Sequence, residues 1–196
     1  MKRRALLFAL ALMLITGTTA TAQTEKGYYL IGGNIGNIKA NFQNGISVFG
    51  IGVSPKVAWF VKDDLAIGGQ VNLNFQTATN IGSTFAYFVG PMARYYFTKD
   101  ELKELVKHTT FFVEANAGVG GTNSSKGGIS TNGFDFGIGP GLAFFVNENI
   151  ALEALAKYNL TAGFGNAPVS SGFNIGVGFQ IHLPTSKLKS LRSGLK

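Results

Sequence analysis

Residues 57 to 75 run VAWFVKDDLAIGGQVNLNF, and this alternation limits the possible folds more tightly than any other feature of the chain. In an extended backbone Val57, Trp59 and Val61 share one side, and beyond the central KDD turn Leu65, Ile67, Val71, Leu73 and Phe75 continue it. Lys56, Ala58, Ala66, Gly68, Gln70, Asn72 and Asn74 fall on the other side. Two period-two segments around a tight polar turn make a β-hairpin. The open question is which side faces oil.

Six more segments repeat the pattern: residues 28–36, 84–97, 111–119, 134–146, 150–160 and 173–183. With the hairpin, whose first arm reaches back to Val48, the strands number eight. Connections at 62–64, 98–109 and 147–149, two of them only three residues long, alternate with connections of eight to twelve residues at 37–46, 76–83, 121–132 and 161–170. The second set is rich in Gly, Asn, Ser and Thr, and the twelve-residue 98–109 connection of the first carries a short helical pattern, DELKELVKH. Short turns on one rim, polar loops on the other and both termini on the short-turn rim describe an up-and-down meander.

The apolar side is about six residues long per strand, sufficient for a tilted membrane-spanning strand. Its aromatics gather near the short-turn ends at Trp59, Tyr95, Phe97, Phe111 and Phe144, and again near the long loops at Phe49, Phe75, Phe85, Phe134, Tyr158 and Phe173. Two such belts fit two membrane interfaces. The opposite side mixes small residues with Lys56, Arg94, Glu114, Glu153 and Lys157, and the 27 glycines of the chain are interleaved with apolar residues inside the strands. A narrow lumen filled by paired charges needs that composition. The aliphatic side therefore points to lipid, and the expected fold is all-β: an eight-stranded antiparallel up-and-down transmembrane β-barrel preceded by a signal peptide.

Lys2, Arg3 and Arg4 precede an apolar run from Ala5 to Ile15 and a small-residue site at Ala20, Thr21 and Ala22. This pattern marks a secretory signal peptide over residues 1–22. The barrel is assigned to 23–183 and a basic periplasmic tail to 184–196. The net charge of +7 is a property of the ends: outside the leader and the tail, ten basic residues face ten acidic ones. That excludes a nucleic-acid footprint. With no cysteine there is no disulfide, thiolate metal site or lipoprotein anchor.

The hairpins VSPKVAWFVKDDLAIG, FVGPMARYYF and GIGPGLAFFVNENIALEA resemble the small outer-membrane β-barrel family, that is, the eight-stranded OmpX type and the membrane domain of the OmpA type, over about residues 27–183. One departure is that the last strand ends at Leu183 and continues into PTSKLKSLRSGLK, where family members usually end on an aromatic residue. The resemblance implies a Gram-negative outer-membrane protein with periplasmic termini. Its implied partners are outer-membrane lipid and lipopolysaccharide, the barrel-assembly machinery and, through the loops, an extracellular ligand.

Arg94 and Glu114 fall inward on neighbouring strands and are expected to pair, while Glu153 and Lys157 lie inward four residues apart on a third strand. The set is either a gate that opens to small ions or a plug that satisfies buried charge. Lys56 has no obvious local partner, and Asp135 is expected near the solvated outer mouth. The two histidines, His108 and His182, map to the periplasmic end, with His182 expected in the girdle. No nucleophile–base arrangement, phosphate loop or metal-ligand spacing appears, so no enzyme activity, cofactor or metal is expected. Two functions remain: a structural or surface-interaction role, favoured by the bulky inward Phe88, Met92, Tyr96, Phe112, Phe145 and Leu155, and a narrow porin-like channel.

Overall fold

A computed structural model describes residues 24–43, 46–98, 109–126 and 130–185. Eight strands, β1 (Tyr28–Gln43), β2 (Ile46–Lys62), β3 (Leu65–Ala78), β4 (Gly82–Phe97), β5 (Thr109–Ser124), β6 (Thr131–Phe145), β7 (Ile150–Gly163) and β8 (Ser170–Pro184), pair in sequence order. Each is antiparallel to its neighbour, and β1 pairs with β8 to close the barrel. Closure removes the unpaired edges that a meander of this length would otherwise expose. The signal peptide, the DELKELVKH segment and the tail beyond Thr185 lie outside the described residues.

The alternation sets the faces. Val57, Ile67, Ile138, Leu152 and Val177 stand on the outside, while Leu30, Ala58, Phe60, Ala66, Met92, Phe112 and Ala151 are buried within. A soluble barrel would hide the first set. This one displays it around its whole circumference.

At the rim holding the chain ends, the β2–β3 hairpin closes through Asp63 and Asp64, the latter in the left-handed region at φ 66°. Asp tolerates that region because its short carboxylate bonds locally. The Asp64 carboxylate accepts from Thr24 Oγ1 at 2.6 Å and from Thr98 Oγ1 at 2.5 Å, and the Asp63 carboxylate accepts from the backbone N–H of Lys26 at 2.8 Å. The segment preceding β1 is thereby tied to the first hairpin. On the other side of the closure, Thr185 Oγ1 donates to the carbonyl of Gly27.

The opposite rim differs from the expectation of long loops. The ladders run on through most of the Asn-, Ser- and Thr-rich stretches: β1 reaches Gln43, β3 reaches Ala78, β5 reaches Ser124 and β7 reaches Gly163. Strands of 14 to 17 residues exceed the roughly 9–11 that a bilayer crossing needs. The sequence pattern lost its alternation there because outward residues beyond hydrocarbon have no reason to be apolar, yet the backbone still has ladder bonds to make.

Three outward prolines, Pro55, Pro91 and Pro140, sit in mid-strand on β2, β4 and β6. On one side of each, pairing skips over it, from Val53–Leu73 to Lys56–Gln70, from Val89–Val119 to Met92–Asn116, and from Ile138–Tyr158 to Gly141–Leu155, while on the other side they pair with Gly33, Gly69 and Val113. A proline has no N–H to give the neighbouring strand. The register is unchanged on either side of each gap, so the barrel absorbs them without a slip.

Candidate functional site

The lumen collects the chemistry. Alternation places Lys56 on β2, Arg94 on β4, Glu114 on β5, Asp135 on β6, and Glu153 and Lys157 on β7 inside the barrel, none more than 7% exposed. Arg94 and Glu114 are direct register partners across β4 and β5. The guanidinium donates from Nη2 at 2.5 Å and from Nε at 3.0 Å to Glu114 Oε2. The expected pair is therefore present, but it is one edge of a larger cluster.

Lys56, for which the sequence offered no partner, donates to both Glu114 oxygens at 3.0 and 2.8 Å. Lys157 donates to Glu114 Oε1 at 2.6 Å and to Asn116 at 2.8 Å. Glu153 does not pair with Lys157, despite their spacing on one strand. It takes Arg94 Nη1 at 2.7 Å and is capped by the amides of Asn34 at 2.8 Å and Gln180 at 2.9 Å. The tilt of barrel strands explains the exchange: residues four apart on one strand stand at different heights, and each meets the charge level with it across the bore.

Asp135 is a second correction, because it is buried rather than solvated at the mouth. Thr161 donates to it at 2.8 Å, Asn159 at 3.2 Å and Asn116 at 3.5 Å. Asn116 accepts from Lys157 on its other side, so Asp135 joins the cluster through one amide. Three cations then face three carboxylates, and the lumen is neutral by formal charge. Buried charges persist only when paired or hydrogen-bonded: five of the six are ion-paired, and Asp135 is held by three neutral donors.

His182 is the third correction. It belongs to no outer girdle; its ring is fully buried inside the barrel, 5.2 Å from the ring of Phe145 and 5.9 Å from that of Phe60. Tyr96 lies between this group and the charges, its hydroxyl accepting from Arg94 Nη1 at 3.0 Å and lying 3.4 Å from His182 Nε2. The Arg94 guanidinium also stacks over Phe112 at 4.0 Å. Leu30, Ala58, Ala66, Ala143, Ala151 and Leu155 fill the remaining space. A charged layer thus rests on an apolar stopper on the side of the chain ends. Toward the opposite rim the lumen opens into a small cavity of about 60 Å³ and a wider one of about 340 Å³.

Sequence reasoning placed Asn34, Gln70 and Gln180 on the inner face without giving them a role, and counted Tyr96 only as bulk, since alternation reports a side and not a height. Among the described residues no group of three His, Cys, Asp or Glu side chains could hold a metal ion.

Residues 7–183 match the outer membrane protein beta-barrel domain. The chain belongs to this family. It is accordingly an integral outer-membrane protein, and its aliphatic exterior meets lipid. No curated protein matches it by sequence. Among solved structures, Neisserial surface protein A superposes with a TM-score of 0.58 at 17% identity, covering 80% of this chain and 97% of that one. The N-terminal β-barrel domain of Pseudomonas aeruginosa OprF gives 0.46 at 16% identity, covering 81% and 98%. Identities this low establish a shared fold and nothing further. Within that fold Trp59, Tyr95, Phe97, Phe111 and Phe144 stand outward near the terminal rim, each 40% to 47% exposed.

Proposed function

We propose that this barrel is a non-catalytic outer-membrane protein with a closed lumen, which acts structurally or through the surface at its opposite rim. The observation that carries the reading is the filled bore. The six-charge cluster and the aromatic stopper beneath it lie in series, and Arg94, Glu114, Phe60, Tyr96 and His182 within them are fully buried. An eight-stranded barrel has an interior that side chains can just fill. In this chain they are large ones.

The non-catalytic part rests on His182, the one histidine among the described residues. A general base needs a nucleophile and an approach for substrate, whereas this ring is packed among Phe60, Tyr96 and Phe145. Trp59, Tyr95, Phe97, Phe111 and Phe144 form the inner-leaflet girdle in this reading. Both termini then face the periplasm, and the opposite rim faces outward, where lipopolysaccharide and any extracellular ligand are met. The purified full-length barrel in planar bilayers is expected to carry no steady current. Stable, ion-selective conductance from the wild type would replace this reading with the narrow channel.

A further inference from the structure

We propose that the opposite rim holds a binding cup for one small, uncharged, hydroxyl-rich molecule, of the size and chemistry of a single sugar ring. The proposal deepens the closed-lumen reading and rests on it, because the sealed layer is what turns the outer half of the bore into a cup.

The cup has the volume for such a ligand. At about 340 Å³ its upper part lies at the small end of the range of roughly 300–1,000 Å³ that ligand pockets occupy. Its wall carries five asparagine amides, Asn37, Asn72, Asn74, Asn159 and Asn174, converging from β1, β3, β7 and β8. Asp135 already holds three donors, and Lys39, exposed on the same wall, donates to the neutral amide of Gln76 at 2.9 Å. An ion entering this part of the cup would find an uncommitted countercharge only at exposed Lys39. The amides now bond one another, Asn37 to Asn74 and Asn174 and Asn174 to Asn159, and a hydroxyl can exchange into such bonds because, like an amide, it both donates and accepts. Phe88 lends an apolar patch to the same wall, suited to the C–H face of a sugar ring.

Two observations mark the cup as built rather than incidental. Asn37 lies at a β-bulge, where the β1–β2 register shifts between Gly36 and Lys39, with φ at 52°. Bulges re-aim side chains, and Asn, like Asp, tolerates the left-handed region. The bulge carries the Asn37 amide on the cup wall, where it donates to Asn74 at 2.6 Å and to Asn174 at 2.9 Å. Neighbouring glycines keep the amides in place: a Cβ on Gly52 would lie 2.0 Å from Asn74 Oδ1, and one on Gly137 would lie 2.5 Å from Asn159 Nδ2.

Independently, Asn34 lines the lower cavity with only 7% of its surface exposed, and its Oδ1 has no hydrogen-bond partner among the described residues. A buried acceptor of that kind is complete when a donor reaches it. Asn74 Nδ2 likewise donates to nothing among the described residues, although its Oδ1 is occupied.

The test uses the full-length protein folded in detergent, titrated with glucose, galactose and N-acetylglucosamine and with the charged analogues glucosamine and glucuronate. Asparagine side-chain amide resonances and calorimetry provide the readout. At least one neutral sugar is expected to bind saturably, more tightly than its charged analogue. Asn37→Gly removes the amide while keeping a residue suited to the left-handed backbone, and Asn74→Leu removes the second amide. Each should weaken binding about tenfold, the scale of one hydrogen bond, with unchanged heat-modifiable gel migration. Absence of neutral-sugar binding, preference for a charged analogue, or wild-type affinity in both variants would overturn the cup. Liposome swelling separates the two readings: binding without sugar entry supports both, whereas binding with entry supports the cup and removes the sealed lumen.

Discussion

Glu114 accepts from Lys56, Arg94 and Lys157 together, so no other side chain in the lumen has as many charged dependants. Glu114→Leu should leave three cations short of a carboxylate and cost about 3–5 kcal/mol, the general penalty for breaking a buried ion pair, less where lumenal water screens it. Had Arg94 and Glu114 formed an isolated pair, replacing both with apolar residues would nearly restore stability. The structure changes that expectation, because Arg94 also serves Glu153 through Nη1. The double variant Arg94→Met/Glu114→Leu should be less costly than the sum of the singles, with a coupling of about 0.5–3 kcal/mol, yet remain below the wild type. Urea titration of the folded-barrel gel band measures all four corners of the cycle. Additive singles would mean that the two residues are not energetically joined. The sequence supported the Arg94–Glu114 edge because adjacent strands share a register. It was silent on Lys56 because that contact crosses the bore from β2 to β5, and strand tilt leaves no trace in sequence spacing.

Strand β6 shows what the glycines are for. Its lumenal positions are Asp135, Gly137, Gly139, Gly141, Ala143 and Phe145, so the middle of the strand offers bare backbone where its neighbours' side chains reach across. A Cβ on Gly139 would lie 1.9 Å from the Ala156 carbonyl oxygen, and one on Gly141 would lie 2.2 Å from the Phe112 ring. Phe112 is the ring under the Arg94 guanidinium, so displacing it disturbs stopper and charge layer together. Gly141→Val should therefore destabilise the folded barrel by about 1–3 kcal/mol through overpacking, seen as a lower urea midpoint of the gel shift. An outward substitution to the same residue, Ala154→Val, faces open exterior and should leave the midpoint within about 0.5 kcal/mol. A midpoint unchanged in Gly141→Val would refute the packing role given to this face. At this scale the eight strands, their order and both faces were legible, because lipid outside and a packed lumen inside enforce alternation on every residue between. The strand extensions beyond Gly36 and Val119 were not, since water on both sides removes the constraint that makes a strand visible.

For the whole molecule, the consequence of stacking two different barriers is that either alone should keep the bore closed, and neither should be necessary for closure. The charge cluster blocks the bore by mutual attraction of side chains from β2, β4, β5 and β7, and the stopper blocks it by volume through Phe60, Tyr96, Phe112, Phe145 and His182. Arg94→Ala/Glu114→Ala opens the first layer and leaves the aromatic rings in place. Phe60→Ala/Phe112→Ala thins the second and leaves the charges clasped. In planar bilayers each double variant, once shown to migrate as a folded barrel, should remain as silent as the wild type. The quadruple variant should conduct steadily, with weak ion selectivity, because removing one cation and one anion leaves Lys56 and Lys157 balanced by Asp135 and Glu153 along the bore. Steady current from the charge variant alone would identify the cluster as the gate and the stopper as incidental packing. Steady current from the aromatic variant alone would show that the ion pairs yield to a passing ion, and the closed-lumen reading would then rest on the rings alone.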